Sequence, residues 1–157
     1  MSKYVFLDFD GVVVCLPPER DRTSTGKLVR AANRQAVAHL NEIVRRTGAV
    51  VVVSSTWRKH HSIERLQGVL DRAGFVGRVH DVTPVIHDQE RGHEIAWTLS
   101  ELAFTGLGGV PPYVVLDDDY DLGPLPAERW VHVKDGWMTG GLKAEHVERA
   151  VRVLGEQ

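Results

Sequence analysis

In the stretch Tyr4-Val5-Phe6-Leu7-Asp8-Phe9-Asp10-Gly11-Val12-Val13-Val14, an apolar run ends in two carboxylates one residue apart. Packing does not explain them, because burying an unpaired carboxylate is expensive. Polar groups stand at three comparable places: Ser54 and Ser55 after Ala49-Val50-Val51-Val52-Val53, Arg91 in the first turn of a helical pattern, and Asp117 with Asp118 after Tyr113-Val114-Val115-Leu116. If the apolar runs are parallel strands, their carboxyl ends converge on one edge of a sheet, where ligands collect in open α/β folds. A helix start reaches that edge through its preceding loop. Carboxylates gathered in one place repel each other, so a hard cation with oxygen ligands is the natural neutraliser, and Mg²⁺ is the one expected. A cation, a nucleophilic carboxylate, a hydroxyl donor and a guanidinium together suit a trigonal phosphoryl group. The chemistry implied is phosphoryl transfer.

These residues need strands and helices to carry them. Val29, Ala32, Ala36, Leu40, Ile43 and Val44 make one apolar stripe, which predicts a helix from Lys27 that stops at Gly48. Ile63, Leu66, Val69, Leu70 and Ala73 predict a second helix, with Ser62 as its N-cap and Gly74 near its end. Arg78 to Val82 reads as a weaker strand, and Asp88 to about Phe104 as a helix through Ile95, Ala96, Leu99, Leu102 and Ala103. Arg91 would lie in its first turn, against the helix dipole. Tyr113 to Leu116 and Arg129 to Val133 read as strands, and Gly136 to Gly141 turns the chain into a last helix bearing Val147, Ala150, Val151 and Leu154. The Pro-rich segment Leu16 to Gly26 has no periodicity and reads as a surface loop able to fold over the site as a flap; Gly106 to Pro112 reads as a connector. Strands alternating with helices predict a parallel sheet with right-handed crossovers, in a three-layer α/β domain.

Composition narrows the alternatives. A chain of 157 residues fits one domain, here residues 1–157, with a single core. The net charge of −2 gives no global attraction to nucleic acid or anionic membrane, so any polyanion must meet a local basic patch. Arg58-Lys59-His60-His61 is one candidate for that patch and equally reads as an exposed helix entry. The single cysteine, Cys15, excludes an internal disulfide and reads as a small buried hydrophobe. The first apolar run is too short for a signal peptide or membrane span, so a cytoplasmic location is expected. The histidines lack zinc-ligand spacing, and Asp119 and Asp121 read as solvated loop acids.

Asp8-Phe9-Asp10-Gly11-Val12 resembles the first signature of the haloacid dehalogenase (HAD) superfamily of aspartate-nucleophile phosphatases. Ser54, Arg91 and Asp117-Asp118 stand where its second, third and fourth signatures would be. Ser54-Ser55-Thr56-Trp57-Arg58, Arg91-Gly92 with Ile95 and Trp97, and Leu116-Asp117-Asp118-Asp119 are similar to HAD domains of RNA-repair and polynucleotide-processing proteins. The resemblance implies a Rossmann-like HAD fold with a central parallel sheet of about five strands. It makes Asp8 the nucleophile that forms an aspartyl-phosphate, and Asp10 the proton donor to the leaving oxygen and later the base for water. The Asp8 carboxylate, the Asp10 carbonyl and Asp118 or Asp117 would hold Mg²⁺. Ser54 or Ser55 would donate to a phosphoryl oxygen, and Arg91 would neutralise charge on it, where many relatives carry Lys. Gly11, Ser55 and Arg58 are expected at the substrate.

Relatives that act on small metabolites often insert a cap domain after the first signature or between the second and third, and this chain has no room for one at either place. An open site favours large or extended substrates such as RNA or DNA ends, or nucleotides. The rivals are a small-molecule phosphatase partly closed by the flap, and a binding module that keeps the phosphate site without turnover. A receiver domain is disfavoured, since its phosphorylated Asp should end a middle strand, and here that strand ends in serines.

Overall fold

The valine-rich runs become strands buried on both faces, as β-branched side chains on a covered sheet should. A computed structural model of the protein describes residues 1–22, 25–106 and 108–157. Its main sheet contains β1 (Tyr4–Leu7), β4 (Val50–Val53), β5 (Val79–Val82), β6 (Tyr113–Asp117) and β7 (Trp130–His132). All neighbours are parallel, in the order β5-β4-β1-β6-β7, so β1 is central. The expected α/β architecture with about five parallel strands is the one observed.

Alternation along β1 divides the core. Val5 and Leu7, with Val51, Val53, Val114 and Leu116, face one side and pack against α1 (Arg34–Thr47), α2 (Ile63–Arg72) and α5 (Ala144–Leu154). Tyr4 and Phe6, with Val52, Val115 and Trp130, face the other side and meet Ile95 and Leu99 of α3 (Arg91–Gly106). Each fully buried aliphatic side chain contributes about 1.5–3 kcal/mol relative to exposure, and α1 alone buries Val37, Leu40 and Ile43 completely. Gly48 ends α1 as expected: at φ 69° it takes the left-handed cap, and its N–H donates to the Val44 carbonyl at 2.9 Å.

The segment before α1 corrects the sequence reading. The helix does not begin at Lys27. Asn33 caps it, its side chain accepting from the Ala36 N–H at 2.9 Å. Val29 therefore lies outside the helix, in β3 (Leu28–Arg30), which pairs antiparallel with β2 (Arg20–Arg22). The flap expected over Leu16 to Gly26 is thus a β-hairpin that continues to Arg30; Thr23 and Ser24 within it, and Leu107 in the expected connector, lie outside the described residues. Among the described residues no further domain is inserted, a short helix α4 (Gly136–Thr139) leads into α5, and no helix is long and apolar enough to cross a membrane.

Candidate active site

Sheet register brings the site together. Leu7 stands beside Val53 on one flank and Leu116 on the other. The hydrogen-bond ladder then runs one step further, with the Asp8 N–H donating to the Leu116 carbonyl and the Ser54 N–H to the Leu7 carbonyl, both at 3.0 Å. Asp8, Ser54 and Asp117 consequently form a row at the carboxyl edge, all buried. A turn follows, in which the N–H groups of Val12, Val13 and Val14 all point at the Phe9 carbonyl. Gly11 in this turn has φ 81°, and a Cβ there would lie 2.2 Å from Asp118 Oδ2. Only glycine leaves room for the Asp118 carboxylate at that place. The Asp118 carbonyl is fixed from behind by His132 Nε2 at 2.8 Å.

Asp8, Asp117 and Asp118 each offer an oxygen within 4.8 Å of the others. Arg91 is the cation among them, with one terminal nitrogen 2.6 Å from Asp117 Oδ2 and 3.3 Å from Asp8 Oδ1. Burial pushes the Asp8 carboxyl up to about 8, the charge of Asp117 adds to this, and Arg91 opposes it. Burial likewise raises Asp117, against the charge of Arg91. Burial works against the charge on Arg91, but Asp8 and Asp117 outweigh it and hold the guanidinium above its ordinary value. One guanidinium facing three carboxylates leaves an excess of negative charge, and oxygen donors of this kind suit Mg²⁺. The donor set therefore fits the ion, and the uncertainty between Asp117 and Asp118 becomes a shared placement: both belong to the cluster.

The two serines separate. Ser55 Oγ accepts from the Trp57 N–H at 3.3 Å and caps the 3-10 turn Thr56–Lys59. Ser54 Oγ is buried without a hydrogen-bond partner among the described residues, as is Thr83 Oγ1. A buried hydroxyl left unpaired in the same row as the Asp8 carboxylate is available to donate to a ligand oxygen. Nothing in the structure explains the Thr83 hydroxyl.

Two expected placements are corrected, those of Arg58 and Asp121, and Gly11 is given its surroundings. Arg58 is not at the substrate: its side chain is 2% exposed, pairs with Glu94 at 2.5 Å, and gives its other N–H groups to the carbonyls of Ser54, Ser55, Thr83 and Pro84. The short turn rotates it inward while Lys59, His60 and His61 stay exposed. Gly11 gives its N–H to the Val14 carbonyl at 2.7 Å, so what it contributes is space rather than a donor. Asp121 is not merely solvated: Oδ2 accepts from the Arg91 N–H at 3.2 Å and its carbonyl from the Gly92 N–H at 3.0 Å. That carboxylate at the start of α3 offsets the unfavourable position of Arg91 in the first turn.

Asp10 stands apart from the carboxylate cluster. Its Oδ1 faces Arg30 of β3 at 3.2 Å, and its Oδ2 accepts from Trp57 Nε1 at 3.1 Å. Sequence reasoning gave no role to Arg30, Trp57, His132 or Asp121. Trp57 lies inside a recognised motif and so could have been found. The others act across 14 to 30 residues of chain, with no local pattern to mark them.

No curated protein matches the chain. Among solved structures, it is similar to a probable YrbI family phosphatase from Pseudomonas syringae pv. phaseolica 1448a, at 16% identity and a TM-score of 0.46, covering 99% of this chain and 87% of that one. The model of the family described as the HAD domain in Swiss Army Knife RNA repair proteins matches residues 4–147. With its signatures lying at one sheet edge in family order, the chain belongs to the HAD domains of Swiss Army Knife RNA repair proteins.

Proposed function

We propose that this HAD-type phosphatase hydrolyses phosphomonoesters through an aspartyl-phosphate on Asp8, with Mg²⁺, and that its substrates are RNA or DNA ends. The observation that carries the reading is the Asp8–Asp117–Asp118 cluster facing one guanidinium next to the unpaired Ser54 hydroxyl. Asp8, Asp117 and Asp118, with the Asp10 carbonyl, would hold the ion, which supplies charge neutralisation between nucleophile and phosphoryl oxygens when bound.

The protein's own groups divide the remaining tasks. An Asp8 oxygen attacks phosphorus in line, forming the acyl-phosphate bond as the ester oxygen leaves. Asp10 gives its proton to that oxygen, and its carboxylate is aimed by Arg30 and Trp57. In the second half-reaction Asp10 takes a proton from water as the water attacks phosphorus, releasing phosphate and restoring Asp8. Ser54 donates to one equatorial oxygen, and Arg91 neutralises another while holding Asp8.

Substrate size is supported by what surrounds the site. Among the described residues, the cover after the first signature is a pair of three-residue strands, too small to enclose a metabolite as a cap domain does. The test is phosphate release from 3′- and 5′-phosphorylated RNA and DNA, nucleotides and sugar phosphates, with and without Mg²⁺. Turnover should require the metal and fall by about 10⁴-fold or more in Asp8→Asn. Activity surviving that substitution would end the covalent mechanism, and a preference for sugar phosphates would end the polynucleotide reading.

A further inference from the structure

Beside Asp10, the β2–β3 hairpin and α2 enclose a groove of about 1000 Å³. Lys27 and Arg30 line it from the hairpin, and Arg65 and Arg72 from the helix, against the acids Asp10 and Glu64. A chain of net charge −2 thus concentrates cations along one channel that begins at the catalytic acid. Trp57 meets Phe9 at 5.2 Å and His61 at 5.6 Å between ring centroids, with ring planes tilted by 52° and 46°, and both Trp57 and His61 line the channel. Gly68 lies on the groove side in the interior of α2. Glycine there costs about 1 kcal/mol relative to alanine, so its missing side chain keeps open a space at the expense of helix stability.

We propose that this groove holds the leaving-group side of the substrate and is shaped for a single-stranded polynucleotide, with the terminal base against the ring of Trp57 or His61. The assignment rests on the phosphatase reading: Asp10 protonates the leaving oxygen, so what lies beyond Asp10 belongs to the leaving group. Cations on both walls follow a phosphodiester backbone, and the half-buried ring of Trp57 and the exposed ring of His61 offer faces to unpaired bases, which a duplex does not present. The ten residues of α2 extend about 15 Å, enough for about two to four nucleotides. At one end Arg30 meets Asp10, and along the groove Arg72 bridges to Asp21 of β2 at 3.1 Å, so ion pairs join the hairpin to the body on both sides of the channel.

Two measurements test this. Fluorescence anisotropy with the Asp8→Asn protein reads the binding of a labelled single-stranded RNA decamer phosphorylated at its 3′ or 5′ end, the same RNA as a duplex, and a labelled oligoglutamate peptide. The single strand should bind at least tenfold more tightly than either competitor, and Arg65→Ala should lower the salt slope of log Kd by about one. In the active protein, Gly68→Leu fills the groove and favours helix; a Cβ at that position meets only Arg72 Nη1, at 3.4 Å. It should reduce the ratio of kcat/KM on the phosphorylated decamer to that on p-nitrophenyl phosphate at least tenfold. Equal binding of duplex or peptide, or an unchanged ratio and slope in these variants, overturns the proposal. If p-nitrophenyl phosphate is turned over while the single strand neither binds nor is preferred, the groove assignment fails and the phosphatase reading stands. If no phosphate is released from any substrate and the strand still binds through Arg65, the phosphatase reading fails and takes the leaving-group assignment with it, while the groove remains a single-strand binding site.

Discussion

Arg58 and Arg91 are both largely buried guanidiniums within reach of a carboxylate, and they are finished to different degrees. Arg58 gives all five of its N–H groups to protein acceptors: four carbonyls and Glu94. The second Glu94 oxygen accepts from the Ile86 N–H at 3.0 Å, so charge and hydrogen bonds both close within the chain. Arg91 faces Asp8 and Asp117 with Asp118 beside them, and the charges do not cancel. A closed pair ties the turn after β4 to the start of α3 and thereby positions Ser54 and Arg91. An open one leaves carboxylate charge in excess. A buried ion pair is thus scaffold or chemistry according to whether its balance is complete.

The strongest way to break this comparison is to open the closed pair. Glu94→Ala leaves the Arg58 charge buried and uncompensated, which costs about 3–5 kcal/mol, or about 10 °C in Tm for a chain of this size. Burial already pushes Arg58 below its ordinary value, with Glu94 opposing, so no spare stabilisation remains at that charge. Thermal melts should show the same loss with and without Mg²⁺. Asp117→Asn should do the reverse, removing one of several mutually repelling carboxylates: the metal-free Tm rises and the Mg²⁺-induced gain shrinks. If Glu94→Ala is tolerated, the two arginines do not differ as described.

The serines sharpen the same contrast one residue apart. Ser54→Ala removes the unpaired hydroxyl and should lower kcat by about 10²–10³-fold, the usual effect of losing one donor to a developing oxyanion, with little change in Tm. Ser55→Ala removes a cap and should cost about 1 kcal/mol of stability while kcat largely persists. Exchange of these two outcomes would move the phosphate donor to Ser55.

What could be read in advance follows from which interactions are local. β1, β4 and β6 are continuous apolar runs that no solvated segment tolerates, and their ends carry groups that a core does not need, so both strand and site were visible. The hairpin was not, because Val29 and Ala32 happen to continue the helical spacing of Ala36 and Leu40. Only the Asn33 cap and the antiparallel pairing decide against it. Arg58 in a basic run looks solvated until Glu94, 36 residues later, supplies the partner that lets it be buried. Asp10 was legible as a candidate catalytic acid through the resemblance, whereas its partners were not, since Arg30 and Trp57 reach it from separate elements.

The last expected effect reads the open balance directly, through pH. The Asp8 carboxyl is raised from 3.8 to about 8, chiefly by burial. A carboxyl with its folded value raised contributes stability that is complete below its unfolded value and is lost as pH climbs toward the folded one. Between about pH 4 and pH 8 the folded chain holds a proton that the unfolded chain has released, so stability falls with pH. Asn at this position has nothing to release. Without metal, the Tm of Asp8→Asn minus that of the native chain should therefore grow steadily from pH 5 to pH 8. If the ionised cluster holds Mg²⁺ as proposed, millimolar Mg²⁺ should cancel or invert this trend in the native chain while leaving Asp8→Asn nearly unmoved. The Arg58–Glu94 pair, already balanced, gives no such metal-dependent slope, and a native chain whose melting ignores both pH and Mg²⁺ would show that the cluster around Arg91 is closed as well.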